Sequence, residues 1–265
     1  MAFTLDSISS AKRIRAPRIV LLGTSGIGKS ELAAGADNPV VMPIKGEEGM
    51  DAIDVQAFPV ITSFDAALEA IGVLYNDDHE FKTVVVDSAS TFAPLVDATA
   101  ILAEDVKDKA NLGGGFGRQY DTILTHWRTL MDGFDALRNE RNMTIIIIGH
   151  VRIRQSRDPD TESFDQWSFD IDRQVGDVLI RWSDCTLFMG RKTILTKSDG
   201  AFGKKEKKGK DITGGQRFLF TQESPTHPGK ARGFFGDLPA EIPLPRHGAW
   251  DTFMQSVAAA VGNKA

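Results

Sequence analysis

Apolar residues in the first half of the chain fall into short unbroken runs with polar segments between them. The runs at 18–22 (RIVLL), 39–42 (PVVM), 82–87 (KTVVVD) and 143–148 (MTIIII) have no polar alternation. That is the pattern of strands buried on both faces. Between the second and third runs, Phe64, Leu68, Ile71 and Leu74 recur at helical spacing. Thr62, with Asp65 three positions later, has the capping-box pattern for the start of that helix. From Tyr120 onward, Ile123, Leu124, Trp127, Leu130, Met131, Phe134 and Leu137 form one continuous apolar stripe. Such a three-four alternation predicts a long amphipathic helix. Strands alternating with helices predict an α/β fold, a mostly parallel sheet covered on both faces. After about position 180 the runs shorten, to 185–189, 217–220 and 242–244, which predicts a β-rich C-terminal part. With no repeat or low-complexity linker, the expectation is one domain over 18–245. A short arm (1–17) would precede it and a tail or helix (246–265) would follow.

Composition narrows this picture without redirecting it. The 265 residues are 42% hydrophobic and 25% charged, which argues against disorder, collagen and coiled coil. A single cysteine, Cys185, excludes an internal disulfide framework and suits a reducing cytoplasm. No apolar run approaches the ~20 residues of a membrane span, and the N-terminal segment lacks a signal-peptide stretch. The expectation is a cytoplasmic protein with no membrane partner. Net charge is −5, which opposes an all-over basic coat but leaves room for a local basic site.

The first strand runs directly into Gly23-Thr24-Ser25-Gly26-Ile27-Gly28-Lys29-Ser30, a complete phosphate-loop pattern. Its glycines let backbone N–H groups turn inward around phosphates. Lys29 supplies a cation for the β and γ phosphates, and the Ser30 hydroxyl can ligate Mg²⁺. ATP with Mg²⁺ is therefore the expected cofactor pair. Asp87, ending an apolar strand, is the natural second carboxylate for the metal. Ser88 follows it, so a water-activating acid must come from elsewhere. Glu47 and Glu48, just beyond the second strand, are the two candidates.

The ordered set GTSGIGKS, EEGMDAIDVQAFP, FKTVVVDS, MTIIIIGHV and GKARGFFGDLP resembles the RecA-like P-loop ATPases encoded by phages, including Sak-type single-strand annealing ATPases. That resemblance covers positions 23–239 and implies a RecA-like P-loop NTPase core. It implies that Glu47 orients the attacking water in preference to Glu48, and that His150 sits at a γ-phosphate sensor position. It also implies that Lys230 and Arg232 reach the ATP of a neighbouring subunit. The partners implied are single-stranded DNA, further copies of the chain in a ring or short filament, and a single-stranded-DNA-binding protein.

Segments for DNA contact follow from the same likeness and from their chemistry. The stretch 107–119 (KDKANLGGGFGRQ) places Phe116 and Arg118 in a glycine-rich loop. After His150, the residues Arg152, Arg154 and Arg157 precede Phe164, Trp167 and Phe169. Arginines with aromatics suit phosphate neutralisation and base stacking. Positions 191–210 hold eight Lys/Arg against two acids, with Lys204, Lys205, Lys207 and Lys208 at an expected hairpin tip. The reading is an ATPase, DNA-stimulated, acting in recombination or annealing. The alternatives are a DNA-independent nucleotide kinase and an ATP-switched loader or adaptor.

Overall fold

The structure is a computed structural model that describes Thr4 and residues 15–115, 117–156, 163–199, 205–211 and 214–262. Its strands are β1 (Arg18–Gly23), β2 (Pro39–Pro43), β3 (Gln56–Ala57), β4 (Thr83–Asp87), β5 (Thr144–Ser156) and β6 (Phe164–Phe169). They continue as β7 (Cys185–Gly190), β8 (Thr193–Asp199), β9 (Lys205–Asp211), β10 (Arg217–Phe220), β11 (Lys230–Ala231) and β12 (Glu241–Leu244). The helices are α1 (Lys29–Ala34), α2 (Phe64–Asn76), α3 (Ala89–Ala103), α4 (Gln119–Glu140), α5 (Arg173–Trp182) and α6 (Ala249–Gly262).

The main sheet has the order β12-β10-β7-β1-β5-β4-β2-β3. From β7 to β3 every pairing is parallel, and β10 pairs antiparallel with β7 and with β12. This is the mostly parallel, helix-flanked α/β sheet that the alternation of runs predicts. Successive strand residues face opposite sides, and the two cores divide accordingly. Val20, Leu22, Val84, Val86, Ile145 and Ile147 pack under α2, α3 and α4. Ile19, Leu21, Val85, Ile146 and Ile148 pack under α1 and α6. All seven apolar residues of the α4 stripe are buried.

Four local details differ from the sequence expectation. Ser63, not Thr62, caps α2, its Oγ accepting from the Ala66 amide at 3.1 Å. Asp65 therefore falls in the first turn, where a carboxylate favours the helix dipole. Helix α3 has no forecast, because Ser, Thr and Pro94 obscure its apolar stripe. It starts nonetheless, on a Ser88–Thr91 capping box. Strand β5 does not stop at Ile148 but runs to Ser156 and pairs antiparallel with β6. Arg152 and Arg154 accordingly stand on a hairpin strand rather than in an open loop. Finally, α6 buries Phe253, Val257 and Ala260 in the same core as β1, so the C-terminal segment is part of the folded body.

Strands β8 and β9 form a separate two-stranded ribbon that leaves after β7 and returns at β10. Among the described residues no helix is long and apolar enough to cross a membrane.

Candidate functional site

The parallel strands β1, β2, β4 and β5 all deliver their C-terminal ends to one edge of the sheet, where open α/β sheets bind ligands. In register, Gly23 stands beside His150 on one side and Met189 on the other, and Asp87 beside Pro43. A Cβ at Gly23 would lie 2.6 Å from the Met189 carbonyl oxygen, so β7 approaches too closely for any side chain. Gly28, at φ 104°, turns the loop into α1 through left-handed backbone that glycine adopts without strain. Ile27 is buried and anchors the loop into the α1 core, while Ser25 and Gly26 stay exposed and Thr24 half-buried.

The side chains then converge across the sheet order. Lys29 is buried, and its Nζ donates to the carbonyls of Gly23 and Thr24, both at 3.0 Å. The Ser30 hydroxyl donates to Asp87 Oδ2 at 2.8 Å. Glu47 Oε2 accepts from the Ser88 hydroxyl and from His150 Nε2, each at 2.9 Å. Because a carboxylate only accepts, the ring proton of His150 sits on Nε2, and Nδ1 faces Lys29 Nζ at 3.5 Å. The His150 amide donates to Ser90 Oγ at 3.0 Å, which fixes the ring's strand beside α3. Strand β5 lies between β1 and β4, and this order puts His150 between the lysine and the glutamate.

Of the two candidate glutamates, Glu47 enters the site and Glu48 is exposed. Gly49 carries no signal along the sequence that marks it as a site residue. A Cβ there would come within 2.7 Å of Ser30 Oγ and 3.4 Å of Asp87 Oδ2, so the loop after β2 lies directly over that pair. Along the sequence Ser88 marks only the place where a glutamate is missing, yet its hydroxyl orients Glu47.

Charge in this cluster is under-compensated. Burial, the largest effect on Lys29, pulls its pKa down although Asp87 and Glu47 favour the ammonium form. Burial likewise pushes Asp87 up, against the hydrogen bond from Ser30. Glu47 moves the other way, held below the usual carboxylate range mainly by the His150 hydrogen bond. A phosphate anion would supply the compensation that Lys29 lacks. The Ser30 hydroxyl and Asp87 carboxylate are hard oxygen donors of the kind Mg²⁺ takes alongside phosphates and water. Among the described residues no group of three or more His, Cys, Asp or Glu could hold an ion alone.

Lys230 and Arg232 lie at the opposite end of the sheet, Lys230 beside Thr186 at the start of β7 and Arg232 with its amide donating to the Asp184 carbonyl just before it. Lys230 Nζ donates to the carbonyls of Ile180, Arg181 and Ser183 at 2.6–2.8 Å, which occupies all three of its N–H donors. Arg232 donates to Asp184 and to the Trp182 carbonyl. Both side chains therefore close the C-terminal end of α5 within their own chain. Of the DNA candidates, Arg118 is exposed at the N-cap of α4, and Arg152 pairs with Asp170 at 3.2 Å. Arg154 donates to the Ile171 carbonyl. Phe116, Arg157 and Lys204 lie outside the described residues. Lys205, Lys207 and Lys208 are positions of β9 opposite Asp199, Lys197 and Thr196.

Residues 15–233 match the AAA domain family. No curated protein matches the chain. The match takes in the phosphate loop, Glu47, Asp87 and His150 together, and the chain belongs to this family of P-loop ATPases.

Proposed function

We propose that this AAA-domain protein hydrolyses ATP with Glu47 as the water-orienting carboxylate, and that it acts on single-stranded DNA in recombination or annealing. The observation that carries the hydrolytic reading is the double hold on Glu47 Oε2, by Ser88 and by His150, at the edge of a complete phosphate loop. Lys29 would leave its loop carbonyls for the β and γ phosphates, gaining an anionic partner. Ser30 and Asp87 would hold Mg²⁺, whose charge offsets that developing on the transferring phosphoryl group. Water attacks the γ-phosphorus, the bond to the β–γ bridging oxygen breaks, and the water's proton passes to Glu47. Phosphoryl transfer passes through a loose transition state, so orienting the water matters more than strong basicity. A carboxylate held ionised by His150 fits that task.

The DNA reading is supported by position and charge. The β8–β9 ribbon and the β5–β6 hairpin both leave the sheet at the end where β1 delivers the phosphate loop. Positions 191–210 carry a local +6 in a chain of net −5. For Lys230 and Arg232 to reach the ATP of a neighbouring subunit, both side chains would have to leave the α5 carbonyls and Asp184 that hold them within the chain.

The test is ATP turnover with and without single-stranded DNA, beside a screen of nucleoside acceptors. DNA should raise turnover, and neutralising Lys204, Lys205, Lys207 and Lys208 should flatten the salt slope of binding by up to ~0.7 for each phosphate that the variant no longer neutralises. Phosphoryl transfer to a nucleoside, indifferent to DNA, would replace this reading with that of a kinase. ATP binding with no turnover at all would favour a loader or adaptor.

A further inference from the structure

Arg217 opens β10, at the point where the chain returns from the β8–β9 ribbon to the sheet. Its side chain is only 15% exposed although it is cationic and near the surface. Nη1 donates to the Ile27 carbonyl at 3.3 Å and to the Glu31 carboxylate at 3.0 Å. Nη2 donates to the carbonyls of Pro245 and Arg246 at 3.1 and 3.2 Å. A Cβ built on Gly28 would lie 2.1 Å from Nη1, so the tip of the guanidinium fills the space that a side chain on the phosphate loop's last glycine would need. One planar group thus joins the loop, α1, β10 and the segment after β12.

We propose that Arg217 is a positioning residue for nucleotide binding. It holds the outer wall of the phosphate loop in the shape whose amides receive phosphates, and ties that shape to the root of the ribbon and to residues 245–246. The proposal rests on the loop being the ATP site. Its physical basis is the fixed fork of the guanidinium, which spans acceptors on separate elements, where the single nitrogen of lysine cannot. The Glu31 carboxylate compensates the charge, so the contribution is geometric. A loop free to relax must be ordered by the ligand, and small misplacements of binding groups cost up to about a hundredfold.

The experiment measures MgATP affinity by titration and the kinetics of turnover in the full chain. Arg217→Ala should raise Kd and KM about tenfold or more while kcat at saturation moves less than about threefold. Arg217→Lys should not rescue affinity, and Arg217→Met keeps the aliphatic stem in case the alanine variant fails to fold. Lys192→Ala is the structural control. Lys192 pairs with Glu241 and stacks on Phe218, pinning the same ribbon root without touching the loop. That variant should bind MgATP as wild type does. Unchanged Kd and KM in the folded Arg217 variants, rescue by lysine, or an equal affinity loss in Lys192→Ala would each overturn the proposal. Lys29→Ala in the same titration should lose binding. If it does not, the ATP-site reading itself falls, and that failure is distinct from a silent Arg217.

Discussion

At the start of β1, Arg18 donates to Asp184 and Asp135, and Asp184 also receives Arg138 and Arg232. Beyond the end of the same strand, Lys29 turns to loop carbonyls, and among the described residues the Asp87 carboxylate has only the Ser30 hydroxyl donating to it. Asp87 and Lys29 are buried and Asp184 is half-buried, and the titration of the two aspartates moves in opposite directions. At Asp184 burial is the largest single effect and raises the pKa, but the hydrogen bonds from Arg18 and Arg232 together bring it below the usual range. At Asp87 burial also leads, and nothing reverses it. One end of β1 is saturated and serves as a rivet between α4, α5, β7 and β11. At the other, burial holds both the Lys29 ammonium and the Asp87 carboxylate against ionisation. Perturbed titration is characteristic of such sites.

The contrast is open to attack from both ends. The largest effect should come from Glu47→Gln, which lowers turnover by about a hundredfold or more while ATP affinity stays within a few fold. Steady-state kinetics beside a binding titration check this, and near wild-type turnover would remove Glu47 from the mechanism. Next, Asp184→Ala strands three arginine contacts and should cost about 3 kcal/mol. That corresponds to a drop of roughly 9 °C in Tm. ATP affinity below the transition should not change, and if it did the two ends would not be independent.

Asp87→Asn should do the reverse, abolishing most turnover while stabilising the fold at neutral pH by about 1 kcal/mol. The sign follows from the raised pKa: the folded state disfavours the ionised carboxylate, and that deficit is full above the folded pKa. It fades as pH falls through the folded value towards the unfolded one, so urea titrations should show the gap between variant and wild type closing in acid. Glu47 has the opposite sign. Its lowered pKa contributes stability above the unfolded value that is lost as pH falls through the folded value. The smallest effect concerns Cys185, fully buried beside Asp184, whose thiol is pushed up to about 12 mainly by burial. It should resist thiol reagents at neutral pH and react only as the protein unfolds. Asp184→Ala should accelerate that reaction, and fast native-state labelling would contradict the packing at this end.

Some of this was legible along the chain because it depends on near neighbours. The glycine loop, the unbroken apolar runs and the α4 stripe are local patterns, and each element formed where its pattern lies. Asp87 could be placed because it ends such a run. Helix α3 was not legible, since its signal is a cap and a partner surface rather than a periodic stripe. Nor was the length of β5, because the segment past His150 is held by pairing with β6 and not by its own apolarity.

The sequence by itself determined that a phosphate loop opens a parallel α/β sheet and which carboxylate ends the neighbouring run. Only the tertiary structure brought Glu47 rather than Glu48 beside His150, turned Lys230 and Arg232 onto α5, and set Arg217 against Gly28. The reason is range. The Glu47–His150 contact joins residues 103 positions apart, and Arg217 reaches the loop across 190. Contacts of that span follow from the insertion of β5 between β1 and β4 and from the return of the ribbon beside β7, which no local pattern encodes.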